Sequence, residues 1–311
     1  MKISVDGGAL NPKNNQRFGT SVFSENLVAA LKLYDKKNQY FIYTFKNLKP
    51  KLFWLKGRVS IEEFINKKAV FLALNQAVPL YTSGKVISFC HGLSYHFHPQ
   101  LYPKRDVVRL KKQLEEMIKR SDKIIVSSEK VKKELISINQ STDTKIVILP
   151  FGIPLDMKKK SKVKSQKSKI AKYFLFIGNN QQIKNIQFIK KAFERFKNLK
   201  GFKNYKLILM TKNCSRKKLR WLYKNATALL TASHYESFNF PVLEALSQGC
   251  PVVGLKSAII PELETYVNLA NNVEEFVEKM KKISTRPSGK SINLHKNFNW
   301  KNYVKNLVKL Y

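Results

Sequence analysis

The sequence predicts an α/β protein of two domains, each a parallel sheet covered by helices. Three observations carry this reading: strand-like and helix-like segments alternate over the first half, a Lys/Ser-rich stretch interrupts them, and the alternation restarts near residue 173. A chain of 311 residues is long enough to bury two cores of ordinary size. The expected division is 1–156, a basic linker over 157–172, a second domain over 173–297 and a closing helix over 298–311.

Lys2–Val5 reads as the first strand, followed by a polar Gly-containing loop. Over Thr20–Leu33, Val22, Phe23, Leu27, Ala30 and Leu31 recur at helical spacing. Tyr40–Thr44 is the next strand. Val86–Phe89 and Ile124–Val126 are buried-strand candidates, ending at Cys90-His91-Gly92 and Ser127-Ser128-Glu129. Between them Lys104–Arg120 forms a charged helix with a narrow apolar face of Val108, Leu110, Leu114, Met117 and Ile118. Lys145–Leu149 closes this half, and no element is read between Thr44 and Val86.

Lys158–Lys172 is rich in Lys and Ser, has few apolar residues, and reads as an exposed tether. Strands then follow at Tyr173–Ile177, Lys206–Met210, Ala228–Thr231 and Pro251–Gly254. Helices are expected over about Lys184–Phe196, Arg216–Tyr223 and Val273–Lys282. The chain ends in an amphipathic helix whose Trp300 and Tyr303 are core candidates.

The formal charge is +37, with 49 lysines and 9 arginines against 21 acidic residues. Such a charge invites a polyanionic partner. Lysine, however, lacks the bidentate fork that makes arginine the favoured reader of nucleic acid, so specific nucleic-acid binding is disfavoured. A generally Lys-rich surface and weak association with an anionic membrane surface remain the two other readings. No stretch approaches the length of an apolar membrane span, and the first residues lack the apolar core of a signal peptide. Three cysteines give no paired framework, which makes a reducing cytoplasm the expected location. Cys90-His91-x4-His96-x-His98 lacks the paired spacing of a structural zinc site, so no metal is expected there.

The most informative segment is Glu236-Ser237-Phe238-Asn239-Phe240-Pro241-Val242-Leu243-Glu244, followed by Gly249-Cys250-Pro251. Pro241 suits the first position of a helix and Gly249 the position just past its end, so a helix of about two turns is bracketed. Glu236 then lies in the loop before it and Glu244 one turn inside. Backbone amides near Phe238, Asn239 and Phe240 converge on the helix start, where an anion is favoured. Two hydroxyl-binding carboxylates around an anion site match the parts of a nucleotide sugar.

Tyr235–Ala245, Gly249-Cys-Pro-Val-Val-Gly254 and Ile260-Pro261-Glu262 resemble the donor-site signature of the family-four retaining glycosyltransferases, also described as glycosyltransferase group 1. The resemblance implies a GT-B fold, two Rossmann-like domains facing across a cleft, with the terminal helix packing back over the seam. It implies that Glu236 contacts donor-sugar hydroxyls and that Glu244 contacts the ribose. Ser237 and Asn239 stand where the family commonly has Gly. Asn tolerates positive φ, so position 239 is expected to keep its backbone shape while its side chain narrows the sugar pocket.

Phe176-Ile-Gly178-Asn179-Asn-Gln-Gln-Ile-Lys184-Asn185 resembles the strand, loop and helix that supply a basic pair to the donor diphosphate. Lys184 matches the Lys, and no Arg is present in this loop. His91 is similar to the family His that approaches the reacting centre, and its place after a buried strand fits the ligand-binding edge of such sheets. Gln16-Arg17-Phe18-Gly19-Thr20 resembles the Gly loop facing the diphosphate, which makes Arg17 a candidate substitute for the absent Arg. The resemblance implies transfer of a hexose, mannose-like in character, from a nucleotide-sugar donor to a hydroxyl of a saccharide or lipid-linked saccharide acceptor. Retention of configuration, a role in cell-surface polysaccharide synthesis and a cytoplasmic location, peripheral on the inner membrane face, belong to the same expectation. No Asp-x-Asp motif is apparent, so neither metal nor cofactor is expected beyond the donor. Two other classes stay open, a non-catalytic nucleotide-sugar-binding relative and a basic nucleic-acid-binding protein.

Overall fold

A computed structural model describes residues 1–10, 19–45, 53–158, 172–285 and 294–311. Arg17 and residues 159–171, the greater part of the expected linker, lie outside the described residues. The chain divides into two compact units, residues 1–152 with 299–311, and residues 153–298.

In the first unit the order is β1 (Lys2–Asp6), α1 (Gly19–Tyr34), β2 (Gln39–Tyr43), α2 (Ser60–Ile65), β3 (Val70–Ala73), β4 (Lys85–Cys90), α3 (Ser94–Phe97), α4 (Lys104–Arg120), β5 (Lys123–Val126), α5 (Glu129–Ile138) and β6 (Ile146–Ile148). Its six strands are all parallel, in the order β2-β1-β3-β4-β5-β6. Strand β3 fills a place for which the sequence offered no element. All four of its residues are buried, so it shows no alternation, and the continuous apolar run over residues 69–74 fits a buried helix segment as well as a strand. On α4, Val108 is not part of the apolar face; it is 70% exposed, and Leu114, Met117 and Ile118 form the buried stripe.

The second unit runs β7 (Tyr173–Ile177), α6 (Ile186–Lys197), β8 (Lys206–Met210), α7 (Arg216–Asn225), β9 (Ala228–Thr231), α8 (Phe240–Ser247), β10 (Val252–Leu255), β11 (Asn268–Ala270) and α9 (Val273–Ser284). Its parallel sheet has the order β11-β10-β9-β7-β8. The unit begins at Ile153, ahead of the expected boundary at 156, and a turn over Leu155–Lys158 precedes β7. Its core is aromatic: Phe174 meets Phe196 edge to face at 5.1 Å, and Phe193, Tyr205 and Phe276 pack around them.

The last helix, α10 (Trp300–Val308), returns to the first unit. Trp300 and Tyr303 are buried there, as expected of core residues, with the Phe23 ring of α1 6.0 Å from the Trp300 ring. The fit leaves no room at Gly152, where an added Cβ would lie 2.6 Å from the indole.

Topology places one preferred ligand edge in each unit. In the second sheet β7 lies between β8 and β9, so the chain leaves β7 in one direction and later returns on its other side. Loops diverge at such a switch point, and ligands of open parallel sheets gather at the carboxyl ends of the strands beside it. In the first sheet the corresponding point lies between β1 and β3.

Candidate functional site

The loop after β7 and the loop after β9 meet at the switch point of the second unit. Lys184 closes a short 3-10 turn over Gln182–Lys184, and Asn185, in the left-handed region at φ 50°, redirects the chain into α6. The backbone N–H of His234 donates to the carbonyl of Ile183 at 2.9 Å, which fixes one loop against the other. Across this junction Lys184 Nζ donates to Glu236 Oε1 at 2.7 Å, and Ser233 Oγ donates to the same oxygen at 2.8 Å. The pair is partly buried, with side-chain exposures of 25% and 12%. Gly178 lies beneath it; a Cβ there would come within 3.0 Å of the Phe176 ring and 3.7 Å of Lys184 Cδ. Asn179, which follows it, accepts a hydrogen bond from the N–H of Gln181 through its side chain.

Asn239 is the N-cap of α8 and holds φ 64°, ψ 69°, as expected of a residue replacing Gly. Its side chain does not narrow a pocket. It turns into the protein and donates to the Ala258 carbonyl at 3.0 Å and to Thr231 Oγ1 at 3.3 Å, leaving the residue 6% exposed. The reason is that Thr231 at the end of β9 and Ala258 after β10 present acceptors directly behind the turn. Phe238 and Phe240 are also buried, edge to face with each other at 5.4 Å, and Phe238 reaches Phe298 at 6.1 Å. Ser237 remains partly accessible beside Glu236.

Glu244 is 3% exposed and is held by residues that the sequence did not single out. Arg216 Nη2 donates to its Oε1 at 2.6 Å and the Tyr223 hydroxyl to its Oε2 at 3.0 Å. Arg216 also donates twice to Asp156, at 2.5 and 2.9 Å, so one guanidinium joins α8, α7 and the Leu155–Lys158 turn. Burial raises the Glu244 carboxyl, opposed by the charge and hydrogen bond of Arg216. For Arg216, burial favours the neutral form, and Glu244 with Asp156 outweighs it and raises the guanidinium further. A buried carboxylate needs a cation, and this is the only sequence-level reason to have sought Arg216.

In the first unit, His91 follows β4 and its Nε2 lies 2.6 Å from the Leu74 carbonyl, after β3. A carbonyl only accepts, so Nε2 carries the proton and Nδ1 keeps the lone pair. Burial pushes the imidazole down to about 4, against the effect of the Leu74 carbonyl, and the ring is neutral at pH 7. Phe23 meets it edge to face at 4.8 Å. Close by in the topology, Asn75 after β3 donates to Asp6 Oδ2 at 2.9 Å, and Gly8 N–H donates to Asp6 Oδ1 at 2.9 Å. The sequence reading did not single out Asp6, which is buried here; burial raises its carboxyl, opposed by these bonds. Gly19 and Thr20 open α1, and an added Cβ at Gly19 would meet nothing within 4 Å. Cys90 faces Gln76, which donates to its sulfur at 3.4 Å, and burial pushes the thiol up to about 12. Among the described residues, no group of three or more His, Cys, Asp or Glu is placed to hold a metal ion.

Residues 157–305 match the family described as Glycosyl transferases group 1. The chain is 23% identical over 266 residues to O-antigen chain mannosyltransferase B of Escherichia coli, a match spanning 73% of this chain and 70% of that protein. Among solved structures, sucrose-phosphate synthase of Thermosynechococcus elongatus superposes with a TM-score of 0.71 at 13% identity, covering 100% of this chain and 98% of the other. WaaG, a glycosyltransferase involved in lipopolysaccharide biosynthesis, gives a TM-score of 0.61 at 13% identity over 99% and 95%. The two parallel sheets and these structural likenesses give the fold as GT-B.

Proposed function

From the match of residues 157–305 to the group 1 glycosyltransferases, we propose that the chain belongs to that family and transfers a hexosyl group from a nucleotide sugar to an acceptor hydroxyl with retention of configuration. The observation that carries the reading is the meeting of Lys184 and Glu236 at 2.7 Å on the switch point of the second sheet. One cation and one carboxylate are held there by two loops at the edge where such sheets bind ligands.

In this reading the Lys184 ammonium neutralises charge on the leaving diphosphate, a service worth several kcal/mol when the donor is preorganised. Glu236, held by Lys184 and Ser233, accepts from hydroxyls of the donor sugar. The amides at the start of α8 face the phosphates. Glu244 is assigned to the ribose, and its pairing with Arg216 fixes the carboxylate before the donor arrives. In the first unit, neutral His91 keeps the lone pair on Nδ1 as an acceptor for a hydroxyl. The bond from the anomeric carbon to the diphosphate oxygen breaks, the bond to the acceptor oxygen forms, and the acceptor proton leaves with the nucleoside diphosphate. No resident metal is required by this arrangement.

The acceptor is proposed to be a saccharide or lipid-linked saccharide of a cell-surface polysaccharide, and the hexose mannose. Both extend to this chain what the name of the Escherichia coli relative says of that protein. Attachment to the inner face of an anionic membrane belongs to the same reading and is supported by the charge of +37. Screening nucleotide sugars by ligand-observed NMR, followed by transfer to a lipid-linked acceptor, tests the proposal. Binding of one donor with anomer-retained product is expected, and binding without transfer or hydrolysis would assign the chain to non-catalytic relatives. That second reading has one observation in its favour, Asn179 in a loop that has no Arg.

A further inference from the structure

Helix α2 is built inside out. Its inward positions are polar: Ser60 is 7% exposed and Glu63 is fully buried. Glu63 is saturated by the fold, accepting from Tyr43 Oη at 2.7 Å, from Ser4 Oγ, and from Ser83 Oγ at 3.4 Å. Its outward positions are Ile61, Phe64 and Ile65, at the i, i+3, i+4 spacing of one helical face, with exposures of 52, 66 and 67%. A surface helix of a globular protein shows the reverse pattern, because burying its apolar stripe is what stabilises it.

The apolar face continues onto the neighbouring loop. Tyr81 sets its ring edge to face with Phe64 at 5.6 Å, and Leu80 projects beside it, 66% exposed. Ser60 Oγ accepts from the N–H of Tyr81 at 3.2 Å, so helix and loop move as one surface. Basic residues border it where α2 runs into β3: Lys67 is exposed, and Ala69 is hydrogen-bonded between the backbones of Lys2 and Lys85, both also exposed. Glu62 is the acidic residue on this side of the helix and accepts from Asn66.

We propose that this face docks on an anionic lipid bilayer, with Ile61, Phe64, Ile65 and Leu80 entering the interface, Tyr81 at its polar boundary and the lysines on the headgroups. Contiguous exposed apolar residues rimmed by charge mark a partner surface, and an aromatic–aliphatic face beside lysines matches the two-part chemistry of an interfacial helix. Charge selects the bilayer over a second copy of this chain. Two molecules of formal charge +37 repel, whereas an anionic leaflet attracts each lysine near it. The proposal localises the membrane attachment named above and stands independently of the transferase activity.

The full-length protein is sedimented with vesicles of phosphatidylcholine and phosphatidylglycerol, and with phosphatidylcholine alone. Binding to the anionic vesicles is expected, with Phe64→Ser and Ile65→Ser each weakening it about tenfold. Phe64→Trp keeps an aromatic ring on the helix and supplies a direct readout as the difference from the wild-type emission of Trp54, Trp221 and Trp300, since the added indole shifts to the blue only if position 64 enters lipid. The proposal is overturned by no binding to anionic vesicles, by binding that leaves the emission of the Phe64→Trp variant unchanged, or by a dimer in sedimentation equilibrium that Phe64→Ser dissociates. Retained binding by Phe64→Ser with intact circular dichroism would equally refute it.

Discussion

Lys184 and Glu236, separated by 52 residues, share a hydrogen bond of 2.7 Å where the loops after β7 and β9 converge. The contact joins the basic residue expected at a diphosphate to the carboxylate expected at a sugar. Removing either changes the charge that the other presents to the donor. Lys184→Ala is expected to lower kcat by about 10²–10³ with the fold intact, because the lost group acts on charge that develops as the diphosphate departs. Glu236→Gln keeps the shape of the side chain and removes the charge. It is expected to raise KM for the donor and lower kcat together. Steady-state kinetics on both variants, with thermal unfolding as the control for folding, checks the pair.

Arg216 makes a different prediction, on stability. Arg216→Met leaves Glu244 buried without its cation and is expected to cost about 3–5 kcal/mol in urea unfolding. Adding Glu244→Leu to the same chain removes the stranded charge and is expected to restore most of the loss. A single variant of wild-type stability would show that the pairing contributes nothing.

His91 gives the pH dependence. Its folded value, about 4, lies below the ordinary 6.5, so the unfolded chain binds the proton more readily. The stabilisation is therefore present above pH 6.5 and is lost as pH falls through 4, to a total of up to about 3 kcal/mol. Urea midpoints at pH 7 and pH 4.5 should differ more in the wild type than in His91→Gln. Equal differences would mean that the ring is not held neutral.

Position 239 separates backbone from side chain. Asn239→Gly retains the positive φ and loses two hydrogen bonds, for a cost of about 1 kcal/mol, while Asn239→Ala also strains the turn and is expected to cost about 2–3. Thermal unfolding of the two variants should rank them in that order. The reverse order would argue that the left-handed turn is dispensable.

Much of the fold was legible because its elements are regular. Lys104–Arg120, Tyr173–Ile177, Lys206–Met210 and Ala228–Thr231 begin and end where periodicity and turn residues place them. β3 is buried on both faces and lies in an unbroken apolar run, so it has no alternation to read, and β11 is three residues long. Helix α2 escaped for another reason: its apolar residues face outward, so the usual rule points the wrong way. The loop placement of Gly178 and Lys184 after β7, that of Glu236 ahead of α8 and the αL turn at Asn239 were each readable from local sequence. Long-range partners were not. Arg216 lies 28 residues from Glu244 and 60 from Asp156, and nothing in its own neighbourhood distinguishes it from the many other basic residues. The inward turn of the Asn239 side chain depends likewise on where Thr231 and Ala258 are brought by the sheet.

Donor binding at the Lys184–Glu236 junction is open to direct measurement. Titration calorimetry of the preferred nucleotide sugar against the wild type, Lys184→Ala and Lys190→Ala tests it most directly. Lys190 is an exposed lysine on α6 that serves as the charge-matched control. Lys184→Ala is expected to weaken binding tenfold or more, by roughly the 1.5–3 kcal/mol of a charge-assisted hydrogen bond, and Lys190→Ala to leave it unchanged. Equal affinity in all three proteins, or equal losses in both variants, would contradict it.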